Sequence, residues 1–269
     1  MINLNYQPDP RFRQTAEAAA RAAGRIIQDK LQAVYRVSHK GKVDLVTEAD
    51  LQAEKRIIAS LRKAFPLHGI VGEESGIGKQ QSDFIWYVDP LDGTTNFAHG
   101  YPHYSVSIAL QYRRRTVLGV VFDPGRDELF TAELGAGAVL NGKRLSVSSV
   151  REPEAALLAT GFPYELEQRP RALAFLGRLL SDIQGIRRDG SAALNLAYVA
   201  AGRLDGYWEL SLHPWDCAAG ALMVEEAGGR ISGLGGREFD IQRPEVLAGN
   251  PFIHPFLVQR LGEDGENAK

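Results

Sequence analysis

The sequence predicts a mixed α/β fold, and three features carry that expectation. Apolar residues recur at helical spacing between residues 11 and 65. Short strand-like runs separated by turn signals then occupy residues 69–145. Beyond about residue 150, helical and strand-like segments alternate.

In chain order, residues 11–34 read as an amphipathic helix, with Ala16, Ala19, Ala20, Ala23, Ile26, Ile27 and Leu31 at spacings of three and four. A second helix is expected from near Thr47, with Asp50 closing a weak capping box and Leu51, Ile57, Ile58, Leu61 and Phe65 turned inward. Residues 83–88 form a short apolar strand that should end at Asp89-Pro90. Ser105–Tyr112 and Thr116–Phe122 read as two strands joined by Arg113-Arg114-Arg115, either a solvated hairpin tip or a phosphate clamp. Asn141-Gly142 is a strong two-residue hairpin turn. Helices fit 170–181, 191–201 and 215–227, and short strands fit 186–188, 206–209 and 230–232. The change of pattern near Val150–Pro153 divides the chain into halves 1–150 and 151–269. No flexible linker separates them, so they should pack closely.

The 269 residues carry Lys+Arg 31 against Asp+Glu 33, with 44% apolar and 24% charged residues. This composition excludes a disordered or collagen-like chain. The net charge of −2 gives no electrostatic footprint for nucleic acid. No apolar run reaches the ~18 residues of a spanning helix, and the first ten residues lack the basic and apolar regions of a secretory signal. The single cysteine, Cys217, suits a reducing compartment. A soluble cytoplasmic protein is expected.

Several tempting motifs fail on chemistry. Gly72-Glu-Glu-Ser-Gly-Ile-Gly78-Lys79 has the wrong glycine spacing and two internal acids, which excludes a nucleotide P-loop. His99 and His103 have zinc-helix spacing, but Gly100 and Pro102 lie between them and no Glu follows His99. Cys217 follows an acid, the setting of an inert buried thiol. No Gly-x-Ser-x-Gly elbow is present.

What remains is a set of carboxylates where the chain turns: Asp44 and Asp50, Glu73 and Glu74, Asp89 and Asp92, and Asp216. Taken singly, each has a plain explanation: a capping role for Asp50 and Asp216, a solvated loop for Glu73 and Glu74, a strand-ending turn for Asp89 and Asp92. Yet Asp89 and Asp92 lie so close in sequence that they repel unless a cation or proton neutralises them. Hard oxygen ligands of this kind suit Mg²⁺. Gly93-Thr94-Thr95 behind them could open a helix whose free N–H groups hold a phosphate oxygen. A metal pair beside an anion cradle is the equipment of phosphoryl hydrolysis.

Four segments together, Asp44-Leu-Val-Thr-Glu-Ala-Asp50, Gly72-Glu-Glu-Ser75, Trp86-Tyr-Val-Asp-Pro-Leu-Asp-Gly-Thr-Thr-Asn-Phe97 and Trp215-Asp-Cys-Ala-Ala-Gly220 followed by Glu226-Ala-Gly-Gly229, strongly resemble the inositol monophosphatase family. Gly190-Ser-Ala-Ala-Leu-Asn195 and Gly206-Tyr-Trp-Glu209 resemble its bacterial inositol-1-monophosphatase branch. The likeness runs over about residues 16–250. It implies a layered α/β/α/β/α sandwich of the inositol monophosphatase and fructose-1,6-bisphosphatase type. Half 1–150 would carry an antiparallel sheet and most metal ligands, and half 151–269 would complete the substrate site. It further implies a homodimeric, lithium-sensitive phosphomonoesterase that uses two to three Mg²⁺ ions.

Carried over by position, Glu73, Asp89 and the Leu91 carbonyl resemble the ligands of one Mg²⁺, and Asp89, Asp92 and Asp216 those of a second. Thr94, supported by Asp50, matches the threonine that helps Glu73 orient the attacking water. Gly93, Thr94 and Thr95 match the phosphate-holding positions. Gly190, Ala192 and Glu209, together with Asp92 and Asp216, match positions facing the substrate. Both Lys40 and Lys42 are candidates for the lysine that precedes the first motif.

The implied reaction is hydrolysis of inositol-1-phosphate and related polyol phosphates by a metal-activated water. Fructose-1,6-bisphosphate, histidinol phosphate, NADP or a 3′-phosphoadenosine nucleotide are alternative substrates. Thr95 favours the inositol side, because relatives specific for nucleotides or histidinol phosphate often carry Lys there. A different class is a regulatory binding protein that contacts the transcription machinery, for which surface arginines such as Arg113–Arg115 would be suited.

Overall fold

A computed structural model of the chain describes residues 6–31, 48–77, 82–243 and 245–262. Asp44, the helix start expected at Thr47, and both Lys40 and Lys42 lie outside these residues. Helix α1 (Pro10–Leu31) buries Ala16, Ala19, Ala20, Ala23 and Ile27, the stripe anticipated from the spacing. Helix α2 (Glu48–Ala64) departs from expectation at Leu51, which is 52% exposed. Ile57 and Leu61 are buried as expected, and Phe65 just beyond the helix with them, but the rest of the buried face is Ala49, Asp50, Ala53 and Glu54. Two acids therefore point inward, and Glu54 explains its own burial by accepting the Glu74 N–H at 2.9 Å.

The chain next lays down β1 (Gly69–Gly72), β2 (Gly76–Ile77), β3 (Phe84–Asp92), the short helix α3 (Thr94–Ala98), β4 (Ser105–Tyr112), β5 (Arg115–Asp123), β6 (Glu128–Glu133), β7 (Gly137–Leu140) and β8 (Lys143–Arg144). The strands form an eight-stranded sheet in the order β2-β1-β3-β4-β5-β6-β7-β8. All its pairings are antiparallel except β1 with β3. The Asn141-Gly142 turn joins β7 to β8 with both residues at positive φ, 47° and 80°, as the sequence indicated.

The second half runs β9 (Leu157–Thr160), α4 (Arg169–Leu179), β10 (Gly185–Arg187), α5 (Ala192–Ala200), β11 (Gly206–Leu210), α6 (Pro214–Glu226), β12 (Arg230–Ser232), β13 (Glu245–Gly249) and α7 (Ile253–Leu261). Its five strands are ordered β10-β9-β11-β13-β12. Helices α1 and α2 cover one face of the first sheet, α5 and α6 fill the space between the sheets, and α4 and α7 cover the far face of the second. These are the five layers of the sandwich that the resemblance implies.

Helix α6 is apolar all round, with Cys217–Val224 buried, as a helix between two sheets must be. It lies so close to β5 that a Cβ on Gly119 would stand 2.6 Å from the Ala219 carbonyl oxygen. Among the described residues no helix is long and apolar enough to cross a membrane.

Candidate active site

The acids meet where β3 ends. The sequence suggested that this strand stops at Asp89-Pro90, but it continues to Asp92 through an irregularity. Asp89 lies opposite Ser107 and Asp92 opposite Ser105, so β3 spends three residues where β4 spends two. Side chains alternate along a strand, and residues three apart would normally face opposite ways. The extra residue restores parity and turns both carboxylates to one face. Pro90 is tolerated there because a bulged position needs no ladder N–H.

Gly93 follows with φ 95°. A Cβ there would meet the His103 carbonyl at 2.9 Å, so only glycine lets the chain swing directly into α3. The Thr94 hydroxyl donates to the Leu91 carbonyl at 2.9 Å, and the Leu91 N–H donates to Asp89 Oδ1 at 2.9 Å. Thr95, next in line, is exposed.

Glu73 stands in the loop after β1, which pairs parallel with β3 and so ends beside it. Its own N–H donates to the Val88 carbonyl at 3.1 Å. More than a third of Glu73 reaches solvent. Desolvation of its carboxyl end nevertheless pushes the pKa up to about 7, a hydrogen bond with Asp89 pulls it back, and the charges of Asp50, Glu74 and Asp92 add to the rise. Asp89 is raised well above the carboxylate range, first by burial and then by Glu73, Asp92 and Asp216. Each of the two acids therefore holds its proton more tightly than a free carboxyl does, as like charges in contact must. Asp50, buried in the first turn of α2, is close enough to act on Glu73.

The second half supplies the rest. Asp92 Oδ2 accepts the Ser191 hydroxyl at 2.5 Å and the Ala193 N–H at 2.8 Å, so a carboxylate of the first sheet caps α5. Burial raises Asp92 to about 6, against the pull of those donors. Asp216, in the first turn of α6, accepts the His213 N–H at 2.8 Å. It is raised well above its usual value by burial and then by Asp92, Glu73 and Glu209. Glu209 on β11 faces the same space, takes a hydrogen bond from the Tyr207 hydroxyl, and is pushed to about 7 by burial. Gly190 has φ 86°, beside Arg188 and Asn96, and Ala192 opens α5.

Glu73, Asp89, Asp92 and Asp216 thus form one group, with no Lys or Arg partner among the described residues. Their mutual repulsion and all-oxygen chemistry fit a hard divalent cation. As they stand, their oxygens are engaged with one another, Ser191, Ala193 and His213, and among the described residues no three acid, His or Cys side chains close on a single point.

The supporting residues were not foreseen. Buried Ser105 and Ser107 stand opposite the two acids of β3. Ser105 Oγ lies 3.4 Å from Ser191 Oγ, and Ser107 donates to the Trp215 carbonyl at 2.9 Å. The Asn96 amide reaches the Asp189 and His103 carbonyls, both at 2.6 Å. Gly161 makes room for Glu209, whose Oε1 would lie 1.8 Å from any Cβ placed there. Only Ser191 left a trace in the sequence, as an N-cap before an apolar run. Cys217 is buried with its thiol pKa raised by burial, consistent with the inert reading.

The model of the inositol monophosphatase family matches residues 10–266. The chain belongs to that family. It is 48% identical over 240 residues to the Nus factor SuhB of Pseudomonas aeruginosa, covering 86% of this chain and 89% of that one. The Nus factor SuhB of Escherichia coli K12 is 44% identical over 257 residues, covering 94% and 96%. Among solved structures, the extragenic suppressor protein suhB of Bartonella henselae superposes with a TM-score of 0.89 at 44% identity, covering 94% and 99% of the two chains. The inositol monophosphatase from Anabaena superposes at 0.85 and 41% identity, covering 94% and 95%.

Proposed function

We propose that the chain is a Mg²⁺-dependent phosphomonoesterase whose preferred substrates are inositol-1-phosphate and related polyol phosphates. The observation that carries this is the convergence of Glu73, Asp89, Asp92 and Asp216 beside the Gly93-Thr94 turn, with Glu209 across the cleft. Glu73, Asp89, the Leu91 carbonyl, Asp92 and Asp216 would hold two to three Mg²⁺ ions. Bound there, Mg²⁺ supplies positive charge that offsets the phosphate and acidifies a water.

The chain's own residues do the rest. The amides of Gly93, Thr94 and Thr95 open α3 without carbonyl partners in their own turn, and they bind phosphate oxygens. Glu73 Oε accepts the proton of the attacking water. Thr94, fixed by its bond to the Leu91 carbonyl, orients that water together with Glu73, and Asp50 backs them from α2. Gly190, Ala192 and Glu209 face the leaving group, and the Glu209 carboxylate accepts hydrogen bonds from neighbouring hydroxyls. A homodimer belongs to the same reading, supported by exposed Tyr164, Leu166, Leu173 and Leu180. A cytoplasmic site of action rests on the lone buried cysteine.

Phosphate release from inositol-1-phosphate, fructose-1,6-bisphosphate, histidinol phosphate and NADP, each with Mg²⁺ and with EDTA, tests this reading. The highest kcat/KM is expected on inositol-1-phosphate, and none without metal. Equal rates in EDTA, or a clear preference for another ester, would overturn it.

A second reading comes from the names of the relatives, several of which are called Nus factors. It gives this chain a binding role in the transcription machinery, alongside catalysis or in place of it. Retention of the whole acidic group favours catalysis being kept. Co-purification of the Asp89→Asn variant with RNA polymerase would separate the two roles.

A further inference from the structure

The arginine run that the sequence left open resolves into three different fates. Arg113 pairs with Asp83 at 3.0 Å and lies over the Tyr112 ring. Arg115 pairs with Glu225 at 3.0 Å. Arg114 makes no ion pair among the described residues and lines a cleft of about 720 Å³ between the β4–β5 tip, α6 and β12. The tip itself is strained, because Arg113 and Arg114 hold φ 47° and 68°, positions that Asn-Gly fills far more easily. Arginine at a left-handed position calls for a reason other than the turn.

Two further guanidinium groups line the same cleft, Arg230 from β12 and Arg243 from the following loop, again with no ion pair among the described residues. Of the five arginines that line the cleft, Arg115 and Arg237 are paired with Glu225 and Glu245, which leaves Arg114, Arg230 and Arg243, on three separate elements, beside the apolar Leu222, Ile231, Phe239 and Ile241. The acids that also line it are partly engaged. Glu225 is neutralised by Arg115, and Asp240 Oδ1 accepts the Gln242 N–H of its own turn at 3.0 Å. Glu238 stays exposed. The volume falls in the ordinary range for small-molecule sites, about 300–1,000 Å³. Glu225 follows Asp216 by nine residues on α6, so the cleft lies roughly 13 Å along the helix from the acidic group.

We propose that this cleft is a second ligand site, separate from the catalytic one, that takes a small organic phosphate of mononucleotide size. Guanidinium groups carried by three different elements suit the several oxygens of a phosphate, and the apolar lining suits an organic body.

The test is calorimetric titration with AMP, adenosine and citrate in EDTA at low salt, so that no divalent cation bridges phosphate to the catalytic acids. Wild type should bind AMP but not adenosine. The Arg114→Gln/Arg230→Gln variant should bind AMP about ten- to a hundredfold more weakly, with unchanged Tm and unchanged turnover of inositol-1-phosphate. Equal AMP binding by both proteins would move the ligand out of this cleft and overturn the proposal. So would no AMP binding by wild type. Citrate binding as tightly as AMP would overturn the phosphate assignment.

Discussion

Replacing Gly161 with alanine should disturb both the fold and substrate choice, through one contact. The new Cβ would lie 1.8 Å from Glu209 Oε1, 2.0 Å from Cδ and 2.2 Å from Oε2. Relief to the 3.0 Å floor of real Cβ contacts requires the carboxylate to retreat by at least 3.0 − 1.8 = 1.2 Å. Glu209 cannot retreat freely, because the buried Tyr207 hydroxyl is hydrogen-bonded to it. Overpacking of this kind destabilises by about 1–3 kcal/mol, which for a chain of this size lowers Tm by roughly 2–10 °C. A displacement of about 1 Å in a positioning group can also lower kcat/KM by up to about a hundredfold. Scanning calorimetry reads the first effect, and the ratio of kcat/KM on inositol-1-phosphate to that on an aryl phosphate reads the second. Trimming the obstacle should remove the clash, so the Gly161→Ala/Glu209→Ala pair should lose less stability than the two single variants summed, by a coupling energy of about 1 kcal/mol or more. An unchanged Tm in Gly161→Ala, or strict additivity in the pair, would refute the reasoning.

Three other outcomes are expected. Asp89→Asn should abolish phosphate release at millimolar Mg²⁺ while leaving the metal-free Tm equal to or above that of wild type, since it removes a buried carboxyl whose ionisation Glu73, Asp92 and Asp216 all oppose; near-normal turnover would rule out Asp89 as a shared ligand. Li⁺ at roughly tens of millimolar should slow turnover by competing for a site built of the same hard oxygens, and steady-state rates indifferent to Li⁺ would count against it. His254, whose Nε2 lies 2.9 Å from Ser232 Oγ, is lowered by burial from 6.5 to about 4. The unfolded chain therefore takes up the proton first, so this contribution to stability is complete above about pH 6.5 and is lost as pH falls towards 4. Urea midpoints between those limits should fall less steeply in His254→Gln than in wild type, and parallel curves would contradict the assignment.

Helices α1 and α6 were legible because their burial is one-sided or complete over many residues: the alanine stripe of α1 and the apolar run of α6 follow directly from spacing. Strands β9 and β13 and helix α7 escaped notice. The two strands are only four and five residues long and buried almost throughout, so they show no alternation to read. Pro90 was read as a terminator because proline removes a ladder donor, and the bulge that absorbs it depends on the register of β4. Leu51 misled because apolarity suggests burial, whereas α2 turns Asp50 and Glu54 inward to serve the loop after β1. The acids of the candidate site were legible as turn-borne carboxylates. Their partners Ser105, Ser107, Tyr207 and Gly161 were not, since a serine opposite a bulge, or a glycine under a carboxylate, has meaning only once distant strands are side by side.

The bond from Ser191 and Ala193 to Asp92 also bears on recombination between relatives. A chimera that joins the first half of one protein to the second half of another, with its crossover anywhere between residues 93 and 190, inherits the carboxylate from one parent and the cap of α5 from the other. Parents that agree at both positions should yield hybrids that fold. Where one parent carries alanine for the serine, the hybrid leaves a buried carboxylate short of a donor, at about 1–3 kcal/mol. Asp92 and Ser191 are therefore inherited as a pair, and exchange between lineages is freest where the crossover keeps both on one side.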